Sequence, residues 1–133
     1  MSEMSTSMES QIGSIQTKAM EGLVSTYFDR TFMVLNTFMD DPRECLAVNE
    51  GLYRTVDEFG ELSEQALFGT LVDRVRGLSS DLANLKGLSN ENVLCWLIKE
   101  TSDLKYADIS KMMGMDRIEV KEAIAEVRWH LLG

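Results

Sequence analysis

The chain has 133 residues and a formal net charge of −9, from 22 acidic and 13 basic side chains. This length suits one domain, or two small helical lobes around a modest core. The acidic balance disfavours nonspecific binding to nucleic acid or to an anionic membrane and favours a basic protein surface as partner. A single proline in a chain rich in Leu, Met, Ala and Glu predicts an all-α protein.

The composition also indicates a compartment. No apolar run approaches the roughly 20 residues that a helix needs to cross a bilayer. The N-terminus carries Glu3 and Glu9 instead of the basic start of a signal peptide. Cys45 and Cys95 lie within apolar helical patterns and have no metal-ligand spacing, so we expect reduced core cysteines. We therefore expect a soluble, cytoplasmic protein.

The first half of the chain predicts an N-terminal helical lobe over residues 11–80, after a polar and disordered N-terminus over residues 1–10. The first helix is expected over about residues 12–39, because apolar residues recur there at helical spacing. Packing in the core is the simplest role for this stripe; the alternative is that its aromatic residues line a ligand site. The predicted inner positions are Ile15, Ala19, Leu23, Tyr27, Phe28, Phe32, Leu35 and Phe38 or Met39.

Two further helices complete this lobe. Asp41 and Pro42 suit the start of a second helix, which should reach about Phe59. Ser63 suits the N-cap of a third helix. The expected inner positions are Leu46, Leu52, Tyr53 and Val56 in the second helix and Leu67, Phe68, Leu71, Val72, Val75 and Leu78 in the third.

A short linker, about residues 77–87, leads to a C-terminal lobe over residues 88–133. From Leu104 onward the spacing predicts two helices joined by a tight turn at Gly114, with Asp116 as the cap of the second. This is a helix-turn-helix arrangement, in which the first helix braces the second. Its predicted buried residues are Tyr106, Ile109, Met112 and Met113, then Ile118, Val120, Ile124, Val127, Leu131 and Leu132. The expected fold is a compact all-α bundle.

The run Leu104-Lys-Tyr-Ala-Asp-Ile-Ser-Lys-Met-Met-Gly-Met115, followed by Val120-Lys121, resembles the promoter-reading domain of bacterial sigma factors. Hydrophobic positions, the glycine and the Val-Lys pair coincide with that family's pattern. Residues 38–59 and 63–78 resemble, more faintly, the polymerase-binding domain of the extracytoplasmic-function group. The resemblance covers most of residues 23–132 and implies contact with RNA polymerase, an anti-sigma factor or promoter DNA.

The departures from the family pattern all make the DNA-reading side of the second helix less basic. Where sigma factors place polar and basic residues toward the major groove, this chain has Glu119, Glu122, Ala123 and Glu126. Carboxylates are repelled by phosphate, and from Leu104 onward five acidic residues balance five basic ones. The helix-turn-helix scaffold is therefore predicted without a basic reading face.

Three functions follow as hypotheses. The first is a sigma-factor-like transcription regulator that acts through protein contacts with RNA polymerase or, as a decoy, with an anti-sigma factor. The second is a sequence-specific DNA-binding protein or reduced sigma factor, and the third is an adaptor bundle that does not bind DNA. The candidate partner-binding residues are Glu50, Tyr53, Arg54, Glu119, Glu122 and Glu126; the candidate DNA-binding residues are Arg117, Lys121, Arg128, Arg74 and Arg76.

No catalytic chemistry rises above background. His130 is the one histidine, and near a helix end it is expected to act as a cation rather than as a base or ligand. We expect no enzyme activity, no cofactor and no metal. Trp96 and Trp129 are expected to pack, although either could anchor an interface. The oligomeric state is left open.

Overall fold

The computed structural model describes residues 2–78 and 87–132, with side chains from Thr17 onward. Across these residues the chain is helical and has no strand, so the all-α prediction is confirmed. The helices of the described part are α1 (Ser2–Phe38), α2 (Pro42–Phe59), α3 (Glu64–Arg76), α4 (Asn90–Thr101), α5 (Tyr106–Met113) and α6 (Arg117–Leu132).

Local capping explains where α2 and α3 begin. The Asp41 side chain accepts a hydrogen bond from the Arg43 N–H at 2.9 Å, and Pro42 occupies the first turn, where its missing N–H costs nothing. Gly60 ends α2 with a left-handed φ of 73°. The Ser63 hydroxyl then accepts from the Ala66 N–H at 3.1 Å. The predicted bounds of α2 and the predicted cap of α3 are confirmed.

The first helix begins earlier than expected, at Ser2 rather than near Ile12. It covers the stretch for which the polar composition predicted disorder. That stretch contains no proline, and Ser, Met and Glu are tolerated in helices, so the helix can extend in the N-terminal direction. Most of the predicted linker, residues 77–87, lies outside the described residues.

The buried apolar residues form one cluster to which all six helices contribute. Five of the six predicted inner positions of α3 are confirmed, because Leu67, Phe68 and Leu71 are fully buried and Val72 and Val75 nearly so. The sixth, Leu78, lies beyond the end of α3 and is only partly buried. In α1, Leu35 and Phe38 are buried, whereas Tyr27, Phe28 and Phe32 are partly covered. The two predicted lobes therefore share a single core.

Some predicted core positions are exposed. Ala19 lies at the surface of α1, and Leu46 is 43% exposed, because α2 turns the face of Cys45, Asn49 and Leu52 inward. The largest differences fall in α6, whose inner face consists of Val120, Ala123, Ile124 and Val127. The predicted core residues of α6 that are exposed instead are Ile118, Leu131 and Leu132, at 70%, 56% and 88%.

Polar side chains form a small network between α1 and α2. Thr31 and Asn49 are fully buried, and the Thr31 hydroxyl lies 2.6 Å from Asn49 Oδ1 and 2.9 Å from the Tyr53 hydroxyl. Asn49 Nδ2 donates to the Phe28 carbonyl at 3.1 Å. Because each buried polar group has a partner, the network fixes the register of α2 against α1 without leaving an unpaired group.

Hydrogen bonds also join the two halves of the chain. The Glu64 carboxylate accepts from the Tyr27 hydroxyl of α1 and, at 3.0 Å, from the Asp103 N–H between α4 and α5. Arg30 donates to the Thr101 carbonyl at the end of α4, at 3.3 Å. These contacts hold α4 and α5 against α1 and α3, and so fix the platform on which α6 lies.

Candidate functional site: the outward face of α6

The turn between α5 and α6 sets the direction of α6. Gly114 ends α5 with a φ of 67°, a left-handed conformation that costs glycine little. The Met115 N–H donates to the Ser110 carbonyl at 3.1 Å, and the Ser110 hydroxyl donates to the Met115 carbonyl. The Asp116 N–H donates to Glu119 Oε1 at 3.4 Å, at the start of α6. The turn is therefore closed by its own backbone and side-chain bonds.

The inward face of α6 packs mainly against α4 and also against α5. Val120 fills the inner corner, as predicted, and is fully buried. Two polar contacts border this packed face on opposite sides. Asn92 Nδ2 of α4 donates to Glu126 Oε2 at 2.7 Å, and Arg128 donates to Glu100 Oε1 at 3.0 Å. Apolar packing and both polar contacts thus fix the rotation of α6 about its own axis.

The opposite side of α6 carries a second apolar stripe. Ile118, Ala125, Trp129 and Leu132 follow one another at steps of seven, four and three residues, which places them in line on a helix with 3.6 residues per turn. All four are exposed: Ile118, Trp129 and Leu132 keep 70%, 77% and 88% of their surface. We call this stripe, with Glu122 in its middle, the outward face of α6.

Charges of opposite sign flank the outward face. The same helical geometry places Glu119 and Glu126 along one edge and Lys121 and Arg128 along the other. Lys121 Nζ lies 5.3 Å from the centre of the Tyr106 ring, so part of this basic edge rests on an aromatic surface. The face is thus apolar along its centre, acidic on one side and basic on the other.

The sequence alone does not identify this face. Its apolar spacing predicts Ile118 and Leu132 in the core, and the resemblance places Ala123 on the surface that would meet DNA. In the structure Ile118 and Leu132 are exposed, whereas Ala123 is 4% exposed and packs inward. The reason is that α6 has two apolar stripes on opposite sides, so apolar spacing alone does not show which side is inward. The spacing from Ile118 to Leu132 was the signal that could have found the outward face.

The predicted protein-contact residues on α2 lie elsewhere. Glu50 and Arg54 are exposed and pair with each other at 3.7 Å. Tyr53, predicted to contact a partner, is instead 5% exposed, because its ring stacks near Phe28 with centroids 5.6 Å apart. Burial raises the pKa of Tyr53 to about 12. Of the predicted partner-binding residues, Glu119, Glu122 and Glu126 belong to the outward face or its acidic edge.

The predicted DNA-binding residues do not form one basic surface. Arg76 donates to Glu91 through Nε at 3.1 Å and through a terminal nitrogen at 2.8 Å, and also to the Met113 carbonyl at 2.6 Å. The hydrogen bond with Glu91 raises the pKa of Arg76. Arg128 is engaged with Glu100, which likewise raises its pKa. Arg74, Arg117 and Lys121 are exposed and have no ion pair among the described residues, although Lys121 Nζ lies over the Tyr106 ring.

Other chemistry is sparse in the described part of the chain. It contains no group of three or more His, Cys, Asp or Glu side chains placed to hold a metal ion. Both cysteines are buried, and burial raises the pKa of Cys95 to about 11, which keeps this thiol protonated and unreactive at neutral pH. His130 is exposed, with Nδ1 2.9 Å from the Glu126 carbonyl. None of the described helices has both the length and the apolar character needed to cross a bilayer.

No protein-family model, no curated protein and no solved structure matches this chain. The interpretation of the outward face therefore depends on its own chemistry. An exposed apolar line that includes a tryptophan, bordered by charged residues, has the composition of a protein-binding surface. It lacks the Arg, Lys, Asn and Gln side chains that read base edges.

Proposed function

We propose that the protein is a transcription regulator of sigma-factor-like organisation that acts by binding another protein through the outward face of α6. The observation that carries this proposal is the composition of that face. In a helix-turn-helix protein, the exposed side of the second helix enters the major groove. The corresponding side of α6 presents Ile118, Ala125, Trp129 and Leu132, with Glu122 among them.

Electrostatics support protein over DNA as the partner. The chain carries a net charge of −9, and the carboxylates of Glu119, Glu122 and Glu126 would all approach phosphate if α6 entered a groove. Burying these charges near the DNA backbone is unfavourable, and the described part of α6 has no basic cluster on this side that compensates. A protein surface can instead cover the apolar stripe and pair with the charged edges.

The resemblance to sigma factors supplies the partners to test first. RNA polymerase and an anti-sigma factor are the two proteins that such a chain would bind, the latter as a decoy that releases a genuine sigma factor. In both cases Trp129 is the expected anchor, since large aromatic residues contribute most to interfaces of this kind. The exposed pair Glu50–Arg54 on α2 would form a secondary contact of small energy.

The test is a pull-down from native bacterial lysate with three forms of the tagged chain: wild type, Trp129→Glu and Met33→Glu. Met33 is a matched control, because it is an exposed apolar residue, at 53%, on a different helix, α1. Recovery of RNA polymerase subunits or an anti-sigma factor with wild type and Met33→Glu, but not with Trp129→Glu, would support the proposal. Equal recovery with all three would contradict it.

DNA binding is tested in parallel by a gel shift with mixed duplex DNA at low salt. The proposal predicts no shift. A shift that fades with added salt and is lost in Arg117→Ala would replace the proposal with the DNA-binding alternative. Absence of both a partner and a shift would favour an adaptor whose α5–α6 pair serves only in packing.

A further inference from the structure

We infer that the outward face of α6 also pairs two copies of this chain, with the two α6 helices parallel. This inference rests on the proposal that the face is a protein-binding surface, and it names a second copy as one occupant. Such pairing would cover Trp129 and compete with any other protein for the same face. Self-association would therefore regulate partner binding.

The apolar spacing of α6 fits helix pairing. Two helices pair when apolar residues alternate at steps of three and four along one side. The outward face has this spacing at positions 118, 122, 125, 129 and 132, and four of these five positions are apolar: Ile118, Ala125, Trp129 and Leu132. It extends over two heptads, roughly 21 Å at 1.5 Å per residue. A pairing of this length buries little area, so the dimer should be weak and dependent on concentration.

The charged edges select the direction of pairing. In a parallel pair, a residue that directly precedes a stripe position, as Lys121 precedes Glu122, lies opposite the residue five positions later on the other helix. Lys121 of one copy then faces Glu126 of its partner, and the symmetric contact repeats it. In an antiparallel pair, edges of the same sign would meet, Lys121 with Arg128 and Glu119 with Glu126. The charge pattern is therefore self-complementary only for parallel helices.

The intramolecular contacts of these charges are compatible with the pairing. Asn92 uses only Oε2 of Glu126, so Oε1 of that carboxylate can accept from a lysine of the second copy. Lys121 rests on the Tyr106 ring through a cation–π contact and makes no ion pair within the described residues. Lys121 and Glu126 can therefore pair between the two α6 helices without breaking an ion pair of the fold.

Glu122 opposes the pairing. It lies in the middle of the stripe, so that in a parallel dimer the two Glu122 carboxylates would face each other. Like charges at this position weaken the association. Replacing Glu122 with leucine should therefore tighten the dimer about tenfold, an effect that a surface glutamate with no role in pairing would not produce.

The experiment is sedimentation equilibrium of the purified full chain from micromolar to near-millimolar concentration. We expect a reversible monomer–dimer equilibrium. Lys121→Glu should weaken it about tenfold, because two attractive contacts become repulsive. Glu126→Lys should weaken it similarly, whereas the double variant Lys121→Glu/Glu126→Lys should restore it. A mixture of the two single variants should form a heterodimer.

Direction is tested by cross-linking. In the variant Ile118→Cys, parallel helices bring the two new thiols together, within the 4.4–6.8 Å Cα separation that a disulfide needs. Antiparallel helices would place them roughly 20 Å apart. Mild oxidation should therefore give a disulfide-linked dimer, and the native Cys45 and Cys95 are buried and should not interfere.

Three results would overturn the inference: a monomer at all concentrations, a tighter dimer in Lys121→Glu, or no disulfide in Ile118→Cys. These outcomes differ from failure of the proposed function. If the chain stays monomeric yet Trp129→Glu loses RNA polymerase or an anti-sigma factor, the face binds only another protein. If the dimer forms and no other protein is recovered, the results support self-association through this face and not the proposed function.

Discussion

Arg76 is expected to stabilise the fold rather than bind DNA, and Arg76→Ala tests this. The substitution removes the bidentate contact with Glu91 and the hydrogen bond to the Met113 carbonyl. The ion pair is 38% and 47% exposed, so solvent screening limits its contribution to about 0.5 kcal/mol. The bond from a charged group to the carbonyl at the end of α5 adds about 1 kcal/mol.

We therefore expect Arg76→Ala to lower the free energy of unfolding by about 1.5 kcal/mol, or roughly 5 °C in Tm for a chain of this size. The assay is urea unfolding followed by circular dichroism. Arg74→Ala is the control, since Arg74 is exposed, lies on the same helix and makes no side-chain ion pair within the described residues. Its expected cost is below about 0.5 kcal/mol. Equal costs for the two variants would refute this account of Arg76.

Three further predictions concern the interior and the turn. Asn49→Ala should lower the free energy of unfolding by about 2–3 kcal/mol, because it removes hydrogen bonds to Thr31 and to the Phe28 carbonyl inside the core. Asn36→Ala, at an exposed position of α1, should leave that free energy nearly unchanged in the same assay. Gly114→Ala should lower the free energy of unfolding by about 1–2 kcal/mol through its φ of 67° alone, since a Cβ there meets no atom within 4 Å. Gly69→Ala, in the interior of α3, should not destabilise the fold. Equal losses of stability in the two variants would contradict this reasoning. Tyr27 and Tyr53 should ionise at about pH 12 instead of 10 because burial raises the pKa of each, with the hydrogen bond to Glu64 also raising that of Tyr27. The unfolded state then binds fewer protons between pH 10 and 12, so stability should fall as pH rises through that window; ultraviolet titration that finds these phenols ionising near pH 10 in the folded protein would contradict it.

The sequence predicted those elements whose signals are local. Pro42, Ser63 and Gly114 mark helix starts and ends through their own backbone preferences, and the structure places turns or caps at each. The inner face of α3 was also predictable, because α3 has one apolar stripe. Such signals do not depend on how distant helices pack.

The candidate site depended on information that the sequence does not contain in local form. In α6 either of two apolar stripes could face the core, and the stripe with Val120 and Ile124 is the one buried where α6 packs against α4 and α5. Arg76 appeared to be a free basic residue until the fold brought Glu91 and Met113 beside it. Tyr53 is similarly buried in the core, where its hydroxyl forms a hydrogen bond with the hydroxyl of Thr31. Each of these outcomes is a tertiary effect.

The two faces of α6 separate folding from association. The residues of the inward face keep at most 4% of their surface exposed, and their packing attaches α6 to the bundle. The outward face adds nothing to the folding of a single copy, because Trp129 and Leu132 remain 77% and 88% exposed. Isolated exposed apolar residues are ordinary, but four of them aligned along one side of a helix, interrupted only by Glu122, expose apolar surface that association would cover.

This separation gives a direct criterion for the function of α6. Truncating Ile124, which is 1% exposed, should lower the free energy of unfolding by about 2–4 kcal/mol. Truncating Trp129 should leave that free energy within about 0.5 kcal/mol of wild type and should reduce binding to a second copy or to another protein. If Trp129→Ala instead unfolds the chain as readily as Ile124→Ala, then the stripe belongs to the core in solution, and α6 has no free face for a partner.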